Sequence, residues 1–292
     1  MLGARPIAFN TVRYSEKLLQ KHGISVQTID FSEIIFKAMH YNDAEKVAAK
    51  IKEIREYGSV PAWISDEVME KQAKLCLVID ETIEDLQCDA STVQCWDSVE
   101  NNYGCATCLA MSMMGDNGKP SACESDVTGA LSMLAAWLAA GTAPALMDWN
   151  NNIREERNAC VSLHCSNFPK SFFQNDVEIE CLDVLGSTLG KENCFGACKG
   201  HVAAGDMTFI RLTTDDQRGT VKAYLGEGVF RDEVIPTKGG VANCYIENLK
   251  NLLRYVCENG YEHHVCFVRG HVADILEEAL TKYMGIPVYR HR

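Results

Sequence analysis

Apolar positions along the first hundred residues follow two different periods. Residues 6–9 and 24–29 are short apolar runs at strand spacing. Around them the spacing lengthens to that of amphipathic helices: 15–22 with Gly23 as a stop, a segment from Asp30 through Met39 with Ser32 as its cap, one from Asn42 to Tyr57, and a long one from Ser65 or Asp66 to about Leu86. Side chains recurring every 3.6 residues line one face of a helix, and those recurring every two line one face of a strand. Ser, Asp or Asn just ahead of an apolar stripe supplies the oxygen that a helix start lacks. Strands with helices between them predict a Rossmann-like α/β layer with a parallel sheet, here assigned to residues 1–114.

The texture changes after about residue 115. Beyond an apolar helix that begins near Val127, the runs are short and β-like: 145–149, 159–164, 177–182, 207–212 and 220–225, punctuated by Gly, Asp and Asn as turns require. A helix is expected over 243–258, a strand over 263–268, a helix over 271–283 and a closing strand over 286–289. This pattern predicts a mixed α+β domain for residues 115–292.

Composition narrows the function classes. With 47% apolar and 23% charged residues in 292, the chain is ordinary globular protein. A formal net charge of −12 and no clustered Lys/Arg run speak against nucleic acid or an anionic membrane as partner. The Ala- and Leu-rich stretch 127–147 carries Thr, Ser, Gly and Pro144 between Asp126 and Asp148, which suits a buried helix and turn rather than a membrane span. Residues 1–10 lack the apolar core of a secretory leader, and Gly3-Ala-Arg-Pro-Ile runs at once into a strand, as expected if the chain begins within a larger protein. Fourteen cysteines without a leader read as reduced, buried thiols in a cytoplasmic protein. A zinc site on Cys105-x-x-Cys108 and Cys194-x-x-x-Cys198 is the competing reading, but the first pair falls in an apolar helix where packing suffices.

The chemistry concentrates in residues 96–131. Glu100 precedes a small-residue apolar helix, and Glu124 and Asp126 follow a Gly-Asp-Asn-Gly-Lys-Pro turn at the mouth of the next. Buried carboxylates are costly unless something cationic meets them. Capping and helix-dipole pairing account for Asp126 equally well, but less well for Glu100, where Asp97 and Ser98 already offer capping groups. Glu262-His263-His264 sits at the leading edge of a predicted strand. Oxygen ligands with one imidazole suit Mn²⁺ or Mg²⁺ with open positions for substrate oxygens. Leu163-His164-Cys165-Ser166-Asn167 ends a strand in small polar groups suited to hydroxyl recognition.

Together these pieces resemble the L-fucose isomerase-like sugar isomerases over essentially the whole chain. The resemblance rests on E-x-x-Y-G…C-L…G-x-P-x-A-C-E-x-D-V from Glu100 to Val127 and on H-H-V…G-H-V at 263–272 followed by Gly285-Ile-Pro-Val. Leu163 to Asn167, Gly205-Asp-Met-Thr-Phe-Ile-Arg and Gly226-Glu-Gly agree, and Gly23-Ile…Ile29-Asp-Phe-Ser-Glu-Ile is similar to the start of the family's second α/β domain. It implies that Glu100, Asp126 and His264 bind a divalent ion, typically Mn²⁺, that Glu100 and Asp126 form the proton-transfer pair, and that Ser166 and His263 lie near a monosaccharide substrate. Glu124 receives no role. The implied reaction interconverts an aldose and its ketose by moving a proton between C1 and C2 through a cis-enediolate, with the ion polarising the carbonyl. The resemblance covers the second and third of the family's three domains and implies a homo-oligomer, a trimer or hexamer, with the site near a subunit interface. The rival reading is a non-catalytic sugar- or metal-binding relative on the same scaffold.

Overall fold

The computed structural model describes residues 12–292. Its first part is helical: α1 (Glu16–Gln20), α2 (Phe31–Met39), α3 (Ala44–Tyr57) and α4 (Asp66–Asp85). The caps are local. Asp30 accepts from Ser32 N, Asp43 from Lys46 N, and Ser65 from Val68 N. These helices form where the apolar spacing placed them, but the cap of α2 is Asp30 rather than Ser32.

A Rossmann-like layer is not confirmed for this half. Residues 24–29 are irregular, with Ile24, Val26 and Ile29 turned into the core and no strand pairing them among the described residues. An alternating pattern can bury one face without a ladder, and a strand without a neighbour is not stable alone. The run at 6–9 lies outside the described residues. The parallel pairing found here is a two-stranded ribbon, β1 (Ser91–Thr92) beside β2 (Ser121–Ala122). Between its strands run the short α5 (Ser98–Asn102) and α6 (Cys108–Asp116), buried from Cys108 to Gly115, and after it α7 (Val127–Ala140), stopped by Gly141 at φ +66°.

The second half is mixed α+β, as expected. It contains β3 (Ala145–Ile153), β4 (Glu156–His164), β5 (Glu178–Cys181), α8 (Asp183–Leu189), β6 (Phe195–His201), β7 (Gly205–Asp215), β8 (Thr220–Arg231), β9 (Gly240–Tyr245), α9 (Leu249–Glu258), β10 (His264–Arg269), α10 (Ala273–Glu278) and β11 (Val288–Arg290). Residues 243–245, expected to open a helix, instead complete β9, because they pair with 159–161 on β4. Among the described residues one nine-stranded sheet runs in the order β11-β8-β7-β10-β3-β4-β9-β6-β5, mostly antiparallel, with parallel pairs at β11–β8 and β6–β9.

Both faces of this sheet are covered. On β10, Val265 and Phe267 join the core shared with α2, α4 and α6, while Cys266 and Val268 join the core under α7 and α10. The strand therefore reads as an uninterrupted apolar run, as expected for one buried on two sides. Among the described residues no helix is long and apolar enough to cross a membrane.

Candidate functional site

The β1–β2 ribbon delivers Cys123-Glu124-Ser125-Asp126 to the mouth of α7. Val93 N donates to Ala122 O and Ser125 N to Val93 O, which ties this segment to the strand beside it. Glu124 and Ser125 then adopt φ of +61° and +57°. Two successive non-glycine residues in the left-handed region are costly, and such conformations gather at functional sites. The kink separates the two acids: Asp126 points into the protein beneath α7, and Glu124 takes a different direction.

Asp126 is completely buried and fully engaged. Its Oδ1 accepts from Gly129 N at 2.8 Å and from Arg211 Nη2 at 3.0 Å. Its Oδ2 accepts from Arg211 Nη1 and lies 2.8 Å from His264 Nδ1. Arg211, also fully buried, reaches Thr128 and donates from Nε to Glu262. Gly129 makes room for this arrangement, since a Cβ there would run into Oδ2 of Asp126 and lie 3.0 Å from Arg211 Nη1. Burial, the largest single influence, would raise the Asp126 carboxyl, but Arg211 and His264 together outweigh it and hold the group well below the usual carboxylate range. Burial pushes His264 down to about 4. The pair is thus a carboxylate and a neutral ring, with the ring hydrogen on Nδ1 and the lone pair on Nε2.

That lone pair faces the other polar groups. His264 Nε2 lies 3.3 Å from His164 Nε2, 3.5 Å from Glu124 Oε2 and 3.6 Å from Asp148 Oδ1. His263 Nε2 is 3.6 Å from Asp148 and 3.8 Å from Glu124. Strand register assembles this group. His264 on β10 pairs with Asp148 on β3, Asp148 pairs with Leu163 on β4, and His164 follows. Two sets of potential ligands result, sharing His264: Glu124–His164–His264 and Asp148–His263–His264, each with its donor atoms within 4.8 Å of one another. Burial, opposed by His164 and reinforced by Cys165 and Asp148, pushes Glu124 up to about 7, and burial likewise raises Asp148.

Glu100 stands apart. It sits on α5, 2% exposed, and neither carboxylate oxygen meets a hydrogen-bond partner from another residue among the described residues. Burial, with Asp97 and Cys165 nearby, pushes it up to about 8. It lines a polar cavity of ≈ 220 Å³ with Asn101, Asn102, Tyr103, Gly104, Leu189 and Asn193, and none of Glu124, His164 or His264 lines that cavity. Cys165 is the group felt by both Glu100 and Glu124. Ser166 is fully buried, and its hydroxyl has no hydrogen-bond partner among the described residues.

Of the residues singled out in the sequence, Asp126 and His264 are therefore in contact and His263 is beside them. Glu100 and Ser166 belong to neither ligand set. Asp148, His164 and Arg211 were missed as functional candidates. Arg211 had a signal, as the last residue of Gly205-Asp-Met-Thr-Phe-Ile-Arg, and His164 lay in the strand end noted for hydroxyl recognition. The donor types fit a divalent cation, with the half-buried Glu124 and Asp148 carboxylates facing an imidazole nitrogen oriented by the carboxylate behind it. Burial would lower His164, but Cys165, Asp148 and Glu124 hold it up at about 10, so that without an ion its ring is the cation beside these carboxylates and the partner of His264 Nε2, a place a metal would have to take over.

Comparisons with known proteins agree with the motifs. Residues 162–292 match the family model for the L-fucose isomerase C-terminal domain. The chain is 27% identical over 277 residues to a sulfoquinovose isomerase of Priestia aryabhattai, covering 94% of this chain and 59% of that protein. It is 27% identical over 284 residues to one from Clostridium sp. (strain MSTE9), covering 94% and 60%, and 26% identical over 227 residues to one from Alkalicoccus urumqiensis, covering 76% and 49%. The chain thus spans about three fifths or less of the length of these relatives.

Proposed function

We propose, from the premise that this chain is one of the L-fucose isomerase-like proteins, that it serves a ketol isomerase that interconverts an aldose and its ketose. The observation that carries the reading is His264, whose Nε2 is aimed by the Asp126–Arg211 pair at Glu124, Asp148 and His164. A carboxylate behind a histidine fixes its tautomer and raises its basicity toward a metal. Glu124 and His264 would hold a divalent ion, with Asp148 and His164 within reach of the same place. The expectation that Asp126 is itself a ligand and base gives way here to an orienting role, since its oxygens are taken by Arg211, Gly129 and His264. A divalent ion in this set, Mn²⁺ by family resemblance, supplies Lewis-acid polarisation of the sugar carbonyl.

The chain's own groups supply the proton chemistry. By the resemblance Glu100 is the group that removes a proton from one carbon and returns it to the next; pushed up to about 8 it can hold or release a proton near neutral pH, and the role requires a substrate that reaches from the His264 set to the separate cavity Glu100 lines. Glu124, pushed up to about 7, is placed to exchange hydroxyl protons. His263, on the outer side of the set, and the buried hydroxyl of Ser166 remain the positions for substrate hydroxyls.

Similarity to sulfoquinovose isomerases makes an anionic sugar one substrate to test, although Arg211, a cation at the core of the site, is already matched by Asp126 and Glu262. The test is turnover and Mn²⁺ binding by the purified protein over a panel of aldoses that includes sulfoquinovose. Aldose–ketose conversion that needs Mn²⁺ and is lost in Glu124→Gln supports the reading. Sugar or Mn²⁺ binding without any conversion identifies a non-catalytic relative instead.

A further inference from the structure

Three thiols lie directly behind Glu124. Cys95 follows β1 and Cys123 follows β2, both are buried, and their Sγ atoms are 2.7 Å apart. Cys165, next to His164 in the chain, hydrogen-bonds to Cys123 and keeps part of its surface exposed. A covalent disulfide spans about 2.05 Å, so the Cys95 and Cys123 sulfurs need to close by well under an ångström. None of the cysteines is bridged in this structure.

We propose that Cys95 and Cys123 form a reversible disulfide that disables the Glu124 site, with the partly exposed Cys165 as the thiol through which oxidation enters. The inference rests on the functional reading of Glu124 given above. Cys123 immediately precedes Glu124, and its carbonyl accepts from Asp126 N at 3.1 Å. The two left-handed residues between them leave that turn no neutral way to absorb a shift. Drawing the Cys123 side chain into a bond therefore moves the carboxylate that follows it.

The oxidant is a low-molecular-weight disulfide, RSSR. The Cys165 sulfur attacks it, the RS–SR bond breaks, a Cys165–S–S–R bond forms, and the first RSH leaves with the Cys165 proton. The Cys123 sulfur then attacks that of Cys165, and the second RSH leaves with the Cys123 proton. Cys95 attacks Cys123, the Cys95–Cys123 bond forms, and Cys165 is released as a thiol carrying the Cys95 proton. In sum two thiols are oxidised to one disulfide, and RSSR is reduced to two RSH.

Cys160 and Cys244, paired across β4 and β9 and both buried, provide an internal comparison. The reduced full chain is incubated with oxidised glutathione, quenched, alkylated and mapped by peptide mass, and Mn²⁺ affinity is measured by calorimetry before and after. The expected result is a Cys95–Cys123 peptide, a fall in Mn²⁺ affinity of about tenfold or more, as for a displaced ligand support, and recovery on reduction. Cys95→Ala keeps its Mn²⁺ affinity in oxidised glutathione, and Cys165→Ser forms the bond about tenfold more slowly because the entry thiol is gone. A bond mapped to Cys160–Cys244 instead, no bond at all, or a Cys95–Cys123 bond with unchanged Mn²⁺ affinity overturns the proposal. If the reduced chain binds no Mn²⁺, the functional reading fails, and the switch is then judged on the mapped bond alone.

Discussion

Asp126 and His264, 138 residues apart in the chain, meet with Oδ2 at 2.8 Å from Nδ1, and the Arg211 guanidinium bonded to the same carboxylate decides what that contact does. Without a cation beside it, a carboxylate this deep would be protonated and could not fix the imidazole. With Arg211 in place it stays ionised, the ring keeps its hydrogen on Nδ1, and Nε2 is left open toward Glu124, Asp148 and His164. A buried ion pair of this kind adds little net stability, and removing one partner strands the other unless a second counter-charge remains.

The roles of the two neighbouring acids therefore separate under mutation. Asp126→Asn leaves Arg211 paired with Glu262, so no charge is stranded, and is expected to cost about 1–3 kcal/mol of stability through the weakened charge-assisted hydrogen bonds. Its Mn²⁺ affinity should fall by about 10–100-fold without vanishing, as for an outer support of a ligand. Glu124→Gln should abolish Mn²⁺ binding with the melting temperature held or raised, because the half-buried carboxyl becomes neutral. Thermal melts and calorimetry on both variants decide between them. The opposite pattern, with Asp126→Asn folded but unable to bind and Glu124→Gln unaffected, would restore Asp126 as the ligand.

Gly129 offers a second check on the same geometry. Exchanging glycine for alanine within a helix ordinarily stabilises by about 1 kcal/mol. Here the added methyl meets the Asp126 carboxylate, which is short and held on every side. Gly129→Ala should instead lower the melting temperature and weaken Mn²⁺ binding together. A more stable Gly129→Ala protein would mean that Asp126 is free to move.

These contrasts also show what the sequence could and could not reveal. Helix starts near Asn42 and at Ser65 or Asp66 were legible to within a residue of the caps Asp43 and Ser65, because capping is local, and His264 was legible because it opens an apolar strand. The different directions of Glu124 and Asp126 were not, since Glu124 and Ser125 are both left-handed and nothing in Glu-Ser-Asp requires that. Asp126 did read as a cap, and it is one, accepting from Gly129 N; the same commitment to α7 and Arg211 removes it from the open side of His264. Asp148 and His164 are brought to His264 by the β10–β3 register, a pairing between segments more than a hundred residues apart that spacing along the chain does not encode, with β4 following as the neighbouring antiparallel strand of β3. The strand expected at 24–29 failed for the converse reason, its alternation being used for packing without a partner strand among the described residues.

Mn²⁺ binding should be pH-dependent through Glu124. Its pKa is raised from the ordinary 4.5 to about 7, so below pH 7 a proton occupies the carboxylate that a cation needs. Affinity is therefore expected to rise with pH, by up to about tenfold per unit while one proton is released per ion, and to level off above pH 7 to 8. Calorimetry in two buffers of different ionisation enthalpy, at pH 6 and pH 8.5, reads the proton release directly. An affinity flat across that range would remove Glu124 from the ligand set.

Glu100→Gln carries the sharpest combination of outcomes, because stability and turnover should move in opposite directions. The folded chain raises the Glu100 pKa from 4.5 to about 8, chiefly by burial. A carboxyl raised on folding favours the fold while it is protonated. Its contribution is fully present below the unfolded value and is lost as pH rises from about 4.5 through 8. The parent protein should accordingly lose stability over that interval, by an amount on the order of a few kcal/mol, while Glu100→Gln, which has no proton to lose, should not. At pH 6 to 9 the variant should melt higher than the parent, by a margin that widens with pH up to about 8 and is then constant. Turnover, by contrast, should fall by about 10²–10⁴-fold, the contribution expected of a positioned proton-transfer group. Mn²⁺ affinity should change little, because Glu100 lies in neither ligand set around His264. Melting curves from pH 5 to 9, a coupled aldose–ketose assay and calorimetry separate these quantities. A variant that is more stable at high pH yet turns over normally would leave Glu100 as a buried acid without a catalytic part, and one that loses Mn²⁺ binding would make it a ligand after all.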